Sequence, residues 1–222
     1  MVGKIYLCGG GNEKQTYDVD EDFLKDVKRI LYIPWAWKGD DFKSCEKWFK
    51  NCMNKHKIVE ISTLTEISIP KDIDKYDAIY IGGGNTFKLL KRIKETKLDK
   101  KLIELYKKGK KIYGGSAGAL IWGKDIKTAL LCEDKDENLV NLKDTIGLNI
   151  LSNYDLQVHF AMNQIKEHQN YITKTGRPII AIPKDSALRV SEKELLVVGL
   201  SPITVITKDS YMSFNPGSKL KI

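Results

Sequence analysis

The residues Gly114-Gly115-Ser116-Ala117-Gly118-Ala119-Leu120 follow directly on the apolar run Lys111-Ile112-Tyr113. A serine flanked by small residues, between a short strand and a helix-like Ala-Leu-Ile segment, has the layout of a nucleophile elbow. Glycines permit a turn too tight for side chains, and the hydroxyl stands at its tip. In that turn the amide of Ala117 faces the side on which an attacked carbonyl becomes negative, and the helix N-terminus adds partial positive charge. The implied chemistry is acyl transfer from a serine. The plain structural alternative is a compact strand-to-helix turn in which Gly115 and Gly118 serve packing alone.

A second glycine-rich loop bears on that choice. Tyr76-Asp77-Ala78-Ile79-Tyr80-Ile81 reads as a buried strand, runs into Gly82-Gly83-Gly84-Asn85-Thr86-Phe87, and is followed by Leu89, Leu90 and Ile93 at helical spacing. Such a loop presents backbone N–H groups at a helix N-terminus, which suits an anion or a transient oxyanion. No Lys-Ser/Thr pair follows it and the spacing is not Gly-x-Gly-x-x-Gly, so nucleotide binding is the weaker use. Of the three histidines, His56 and His168 sit in polar helical stretches and read as solvated, whereas His159 lies between Val158 and Phe160. His159 is therefore the candidate base for Ser116.

Taken in order, Gly82-Gly83-Gly84-Asn85-Thr86-Phe87, Gly115-Ser116-Ala117-Gly118 and Val158-His159-Phe160 resemble the peptidase E (aspartyl dipeptidase) and cyanophycinase family of serine peptidases, from about Lys4 to Ala187. The resemblance implies a three-layer α/β/α sandwich with a mainly parallel central sheet, akin to class I glutamine amidotransferases and flavodoxin-like in outline. It implies Ser116 as nucleophile and His159 as base. The oxyanion hole falls to Ala117 and one of Gly83 or Gly84. It also implies hydrolysis of short peptides, best known for dipeptides with an N-terminal aspartate, with a cyanophycin-type substrate or a non-catalytic binding role on the same fold as alternatives. An amidotransferase would carry cysteine at the elbow, where this chain has Ser116.

The third member of the expected triad is less direct. In the family it is an acid in a Pro-Glu-Gly-like turn, but here the turn reads Ile182-Pro183-Lys184-Asp185-Ser186-Ala187, with Lys184 at the acidic position and Asp185 one place on. Asp185 is the leading candidate to orient His159, with Asp125, Glu133 and Asp134 as alternatives and an incomplete triad as a third possibility. Asn85, Lys166 and Arg189 are the candidate substrate-binding residues, the last two for an aspartyl carboxylate.

The composition is compatible with this chemistry. A chain of 222 residues with 42% hydrophobic content fits one domain over residues 1–222. Cys8, Cys45, Cys52 and Cys132 show no Cys-x-x-Cys pair or histidine at ligand spacing, so they are expected as reduced thiols, with no metal and no cofactor. The net charge of +8 is interleaved with acids, as in Lys100-Lys101-Leu102-Ile103-Glu104, which speaks against nucleic acid and for acidic small substrates. With no long apolar run and no signal-peptide pattern, no membrane partner and a cytoplasmic location are expected. A small peptide is the expected ligand, and a second copy of the chain is the one macromolecular partner the reading admits.

These residues need an alternating scaffold to hold them. The pattern predicts strands at 4–8, 29–33, 58–61 and 179–182 besides the two glycine-tipped ones, and helices at 20–27, 41–55 and 163–175. Residues 124–149 lack periodicity and read as a loop excursion, and 187–206 read as antiparallel strands at the sheet's edge. The first glycine run, Gly9-Gly10-Gly11, reads as a turn beside the site.

Overall fold

The computed structural model describes residues 2–56, 60–132 and 135–220. Its first half alternates strands β1 (Lys4–Cys8), β2 (Arg29–Ile33), β3 (Glu60–Thr63), β4 (Ala78–Ile81) and β5 (Lys111–Gly115) with helices α1 (Tyr17–Leu24), α2 (Phe42–Met53), α3 (Thr86–Glu95) and α4 (Leu98–Lys107). Helix α5 (Ala117–Leu120) then opens directly from β5. Strand β6 (Asp155–Gln157), helix α6 (Ile165–Thr175) and strand β7 (Ile179–Ala181) follow. The chain ends in β8 (Ser186–Val190), β9 (Leu195–Gly199), β10 (Ile203–Ile206), β11 (Tyr211–Phe214) and β12 (Lys219–Leu220).

The period-two alternation of the parallel strands builds the layers. Ile5, Leu7, Leu31, Ile33, Ile79, Ile81 and Ile112 pack with α3, α4 and α5 on one face. Tyr6, Cys8, Ile30, Tyr32, Ala78, Tyr80 and Tyr113 pack with α1 and α2 on the other. The order β12-β9-β8-β1-β5-β4-β2-β3 is parallel from β1 to β3 and antiparallel at β8, β9 and β12. This is the expected three-layer α/β/α sandwich with its antiparallel C-terminal edge.

A smaller four-stranded sheet, β11-β10-β7-β6, was not expected. It buries Leu156, Val158, Ile180 and Ile182 in the α5-side core and Ile179, Ala181 and Ile206 beneath α6. Strands β6 and β7 are thus fully covered, and a fully covered strand lacks the alternation that would tell one sheet from another.

Helix α1 starts three residues before its predicted position. Asn12 Oδ1 accepts from the amides of Lys14 and Gln15, which turns the chain into the helix early, and extended Lys25 followed by left-handed Asp26 ends it. Strand β3 covers 60–63, and Ile58 and Val59 of the predicted strand lie outside the described residues.

Helix α1 also buries a carboxylate. Asp20 is 2% exposed; Thr16 Oγ1 donates to its Oδ2 at 2.8 Å, while Oδ1 has no hydrogen-bond partner among the described residues. Burial pushes its pKa up to about 6, against the opposing pull of Thr16, Tyr113 and His56. The folded state therefore holds a proton that the unfolded chain releases near its ordinary 3.8. The stability contributed is complete below that value and is lost as pH rises through about 6. At about 1.4 kcal/mol per pKa unit the loss is up to about 3 kcal/mol. Asp20→Asn is expected to flatten this slope. Urea denaturation of parent and variant from pH 4 to 8 checks it, and parallel profiles would contradict it.

Candidate active site

The carboxyl ends of β1, β4 and β5 lie side by side, the usual place for a site on a parallel sheet. At the end of β5 the chain reverses through Ser116, with φ 52° and ψ −113°, a conformation that L residues adopt only under constraint. The constraint comes from both sides. Ser116 N donates to Cys8 O at 3.0 Å, and Ser116 O accepts from the amides of Ala119 and Leu120. The turn closes tightly because α5 sits against the sheet. A Cβ at Gly114 would be 2.2 Å from Gly118 O, and one at Gly118 would be 2.4 Å from Ile81 O. The packing glycines are therefore Gly114 and Gly118; a Cβ at Gly115 would meet nothing nearer than 3.5 Å, so its predicted packing role passes to its neighbour.

His159 reaches the serine from the smaller sheet. Its Nε2 lies 2.9 Å from Ser116 Oγ, and both side chains are half-buried. The residue follows β6 at φ 54°, with its amide donating to Gly9 O at 3.3 Å. Gly10, at φ 89°, fills the narrow space between Ser116 and His159: a Cβ there would be 2.6 Å from Ser116 Cβ and 2.8 Å from His159 Nε2. Only a glycine lets this turn pass so close.

Strand β6 is itself anchored. The fully buried Asp155 carboxylate accepts from Arg177 Nε at 2.9 Å and Tyr171 Oη at 2.9 Å, and its Oδ1 accepts from Asp125 N. Burial pushes the Asp155 carboxyl up despite Tyr171 and Arg177. Arg177 also reaches Asp125 at 3.2 Å, so Asp125 belongs to this anchor.

The other glycine loop meets the elbow from β4. A Cβ at Gly83 would be 3.2 Å from Ser116 Cβ and 3.7 Å from its Oγ, so of the two candidates Gly83 is the nearer to the hydroxyl. Gly84, at φ 135°, instead packs against Ala36 O. Ala117 is the first residue of α5, and a first-turn N–H has no acceptor within its own helix.

Several sequence-based assignments fall elsewhere. The Asp185 carboxylate accepts from Ser201 Oγ at 2.7 Å and from Ser186 Oγ at 3.5 Å, and none of the hydrogen bonds among the described residues joins it to His159. It stands just before β8 and beside the end of β9, where its carbonyl also takes Leu200 N. Asp185→Asn is accordingly expected to leave kcat within a few-fold of the parent, far from the roughly 10⁴-fold fall that losing an orienting carboxylate brings. Steady-state kinetics read the difference, and a loss of about 10² or more would return Asp185 to the imidazole. Glu133 and Asp134 lie outside the described residues.

Arg189 is committed to Asp22 at 2.8 Å and Glu194 at 3.2 Å on the α1 side of the sheet. Lys166 is exposed on α6, and its neighbours Gln164 and Glu167 line the cavity beside His159 in its place. Asn85 does line a cavity, of about 320 Å³, shared with Lys38, Lys88, Lys135 and Asp136 among others. His56 and His168 are both buried rather than solvated. His56 pairs with Glu21 and stacks on Tyr17, and His168 Nδ1 meets Gln164 O at 2.7 Å while the ring packs edge-on against Phe160.

Sequence reasoning missed the cavity of about 260 Å³ beside the imidazole, lined by Cys132, Lys135, Asn163 and Glu167 among others. Cys132 and Lys135 come from a segment without periodicity, and nothing local joins them to Asn163 and Glu167 at the start of the α6 region. Among the described residues no group of His, Cys, Asp and Glu is placed to hold a metal ion, and no helix is long and apolar enough to cross a membrane.

An α/β sandwich with a serine at a strand-to-helix elbow and a histidine on its hydroxyl defines a hydrolytic class. Residues 5–198 match the model of peptidase family S51, and the chain belongs to that family of peptidases. Peptidase E of Pasteurella multocida (strain Pm70) is 24% identical over 233 residues, spanning 97% of each chain. Uncharacterized peptidase Lmo0363 of Listeria monocytogenes (strain EGD-e) is 32% identical over 181 residues, or 78% of this chain and 87% of the relative. The crystal structure of a peptidase from an acI-B1 Actinobacterium superposes with a TM-score of 0.74 at 18% identity, covering 100% of this chain and 98% of the other, which shows the shared fold.

Proposed function

We propose that this family S51 member is a serine peptidase that hydrolyses short peptides, with Ser116 as nucleophile and His159 as base. The observation that carries the reading is the 2.9 Å contact between His159 Nε2 and Ser116 Oγ at a strained elbow. In the reaction His159 takes the Oγ proton as Oγ bonds to the scissile carbonyl carbon. The resulting oxyanion is held by the N–H of Ala117 with that of Gly83 or Gly84, and His159 passes the proton to the leaving amine. Water, activated by the same imidazole, then releases the acyl group from Ser116.

For the substrate we propose dipeptides with an N-terminal aspartate. The support is chemical: Lys38, Lys88 and Lys135 outnumber Asp136 and Glu137 around the cavity beside Asn85, and the chain carries a net charge of +8. The test is a fluorophosphonate probe on the native protein with the labelled residue mapped by mass spectrometry. An activated serine is modified and a merely packed one is not, so labelling confined to Ser116 is the expected result. A native protein that takes no label would instead be a binding member of the family.

A further inference from the structure

Helix α3 begins immediately after the glycine loop, yet it carries no acidic residue in its first turn. A helix start favours negative charge and needs acceptors for its free N–H groups. Asn85 Oδ1 supplies one acceptor, to Lys88 N at 2.9 Å. The charge arrives from fifty residues away. Asp136 Oδ2 accepts from Thr86 N at 2.8 Å and from Thr86 Oγ1 at 2.6 Å. Thr86 is fully buried, so both of its donors depend on that one oxygen.

The neighbouring bonds show what this contact holds. Asn85 Nδ2 donates to Glu137 O at 2.8 Å, and Asn85 N donates to Ala36 O at 2.8 Å. Residues 84–86 are thus gripped from the β2 side by Ala36 and from the opposite side by 136–137. Gly83, beside Ser116, is the next residue back along the chain. Further along, Lys94 Nζ clasps Asp144 Oδ2 at 2.7 Å, so the same segment runs the length of α3.

We propose that Asp136 is a positioning residue for the oxyanion loop, acting through Thr86 to fix the amides of Gly83 and Gly84 against Ser116. The assignment rests on the serine peptidase reading above. A charge-assisted pair of hydrogen bonds to one carboxylate oxygen is short and directional, which suits a loop that must present its N–H groups to a transient charge.

Kinetics of Asp136→Ala, Asp136→Asn and Asp144→Ala on the dipeptide that the parent turns over fastest test it. Asp136→Ala is expected to lower kcat by about 10- to 100-fold, less than the 10²–10³ for deleting an oxyanion donor outright, with KM nearly unchanged. The rate of fluorophosphonate labelling at Ser116 should fall in parallel, because the phosphonyl oxygen occupies the same hole. Asp136→Asn keeps an acceptor for Thr86 and should recover most of the loss. Asp144→Ala, which frees the other end of the same segment, should retain the parent's kcat. Equal falls in Asp136→Ala and Asp144→Ala would overturn the assignment in favour of general anchoring, as would parental kcat in Asp136→Ala. If Asp136→Ala does not fold, Thr86→Val removes one of the two bonds, and a parental kcat there overturns it equally. A parent that neither labels nor hydrolyses overturns the peptidase reading, and the role of Asp136 with it.

Discussion

Ser116→Ala will fold as the parent does and lose peptide hydrolysis by about 10⁴-fold or more. The hydroxyl's bond is to His159, and the elbow is held by backbone contacts to Cys8, Ala119 and Leu120 that alanine keeps. Alanine at φ 52° is no more strained than serine, so circular dichroism and melting temperature should match the parent. What disappears is the atom that bonds to the carbonyl carbon. Turnover measured on a verified substrate with the two proteins side by side decides the matter, and undiminished hydrolysis in the variant would end the nucleophile assignment.

His159→Ala is expected to be nearly as damaging, since a serine without its base and a base without its serine fail alike. The double variant should therefore be little worse than either single one, and that non-additivity separates a shared step from two independent contributions. His56→Ala and His168→Ala should keep kcat per folded molecule. His168 is fully buried, however, and its removal should cost stability, on the order of 1–3 kcal/mol. Loss of kcat in His168→Ala with His159→Ala unaffected would reverse the base assignment.

How much of this was legible in the sequence depended on the range over which each signal acts. The elbow and the glycine loop were readable because strand, turn and helix are contiguous and their glycines mark backbone that no other residue could follow. His159 stood out because it alone of the three histidines lies between two apolar residues, Val158 and Phe160. Asp185 was misassigned for the opposite reason: a turn after a strand can point its acid either way, and here Ser186 and Ser201 claim it. Asp136 gave no local signal, since its partner Thr86 is fifty residues away and the segment around it has no period. His168 shows a further limit. A polar helix sequence did not reveal that this one side chain turns inward beneath Phe160.

Ser116 and His159 stand on different sheets, Ser116 at the end of β5 in the large one and His159 just past β6 in the small one. Their hydrogen bond is therefore also a seam. Local opening of the small sheet, at a free energy below that of global unfolding, would part the pair while leaving β1 to β5 hydrogen-bonded to one another, though it would uncover Leu156, Val158, Ile180 and Ile182 in the α5-side core. On heating, catalytic inactivation should then precede the loss of far-ultraviolet dichroism, and amides of β6 and β7 should exchange with deuterium before those of β1, β4 and β5. Activity lost in that window should return on cooling, and inactivation that coincides with the loss of dichroism would show that the two sheets open as one.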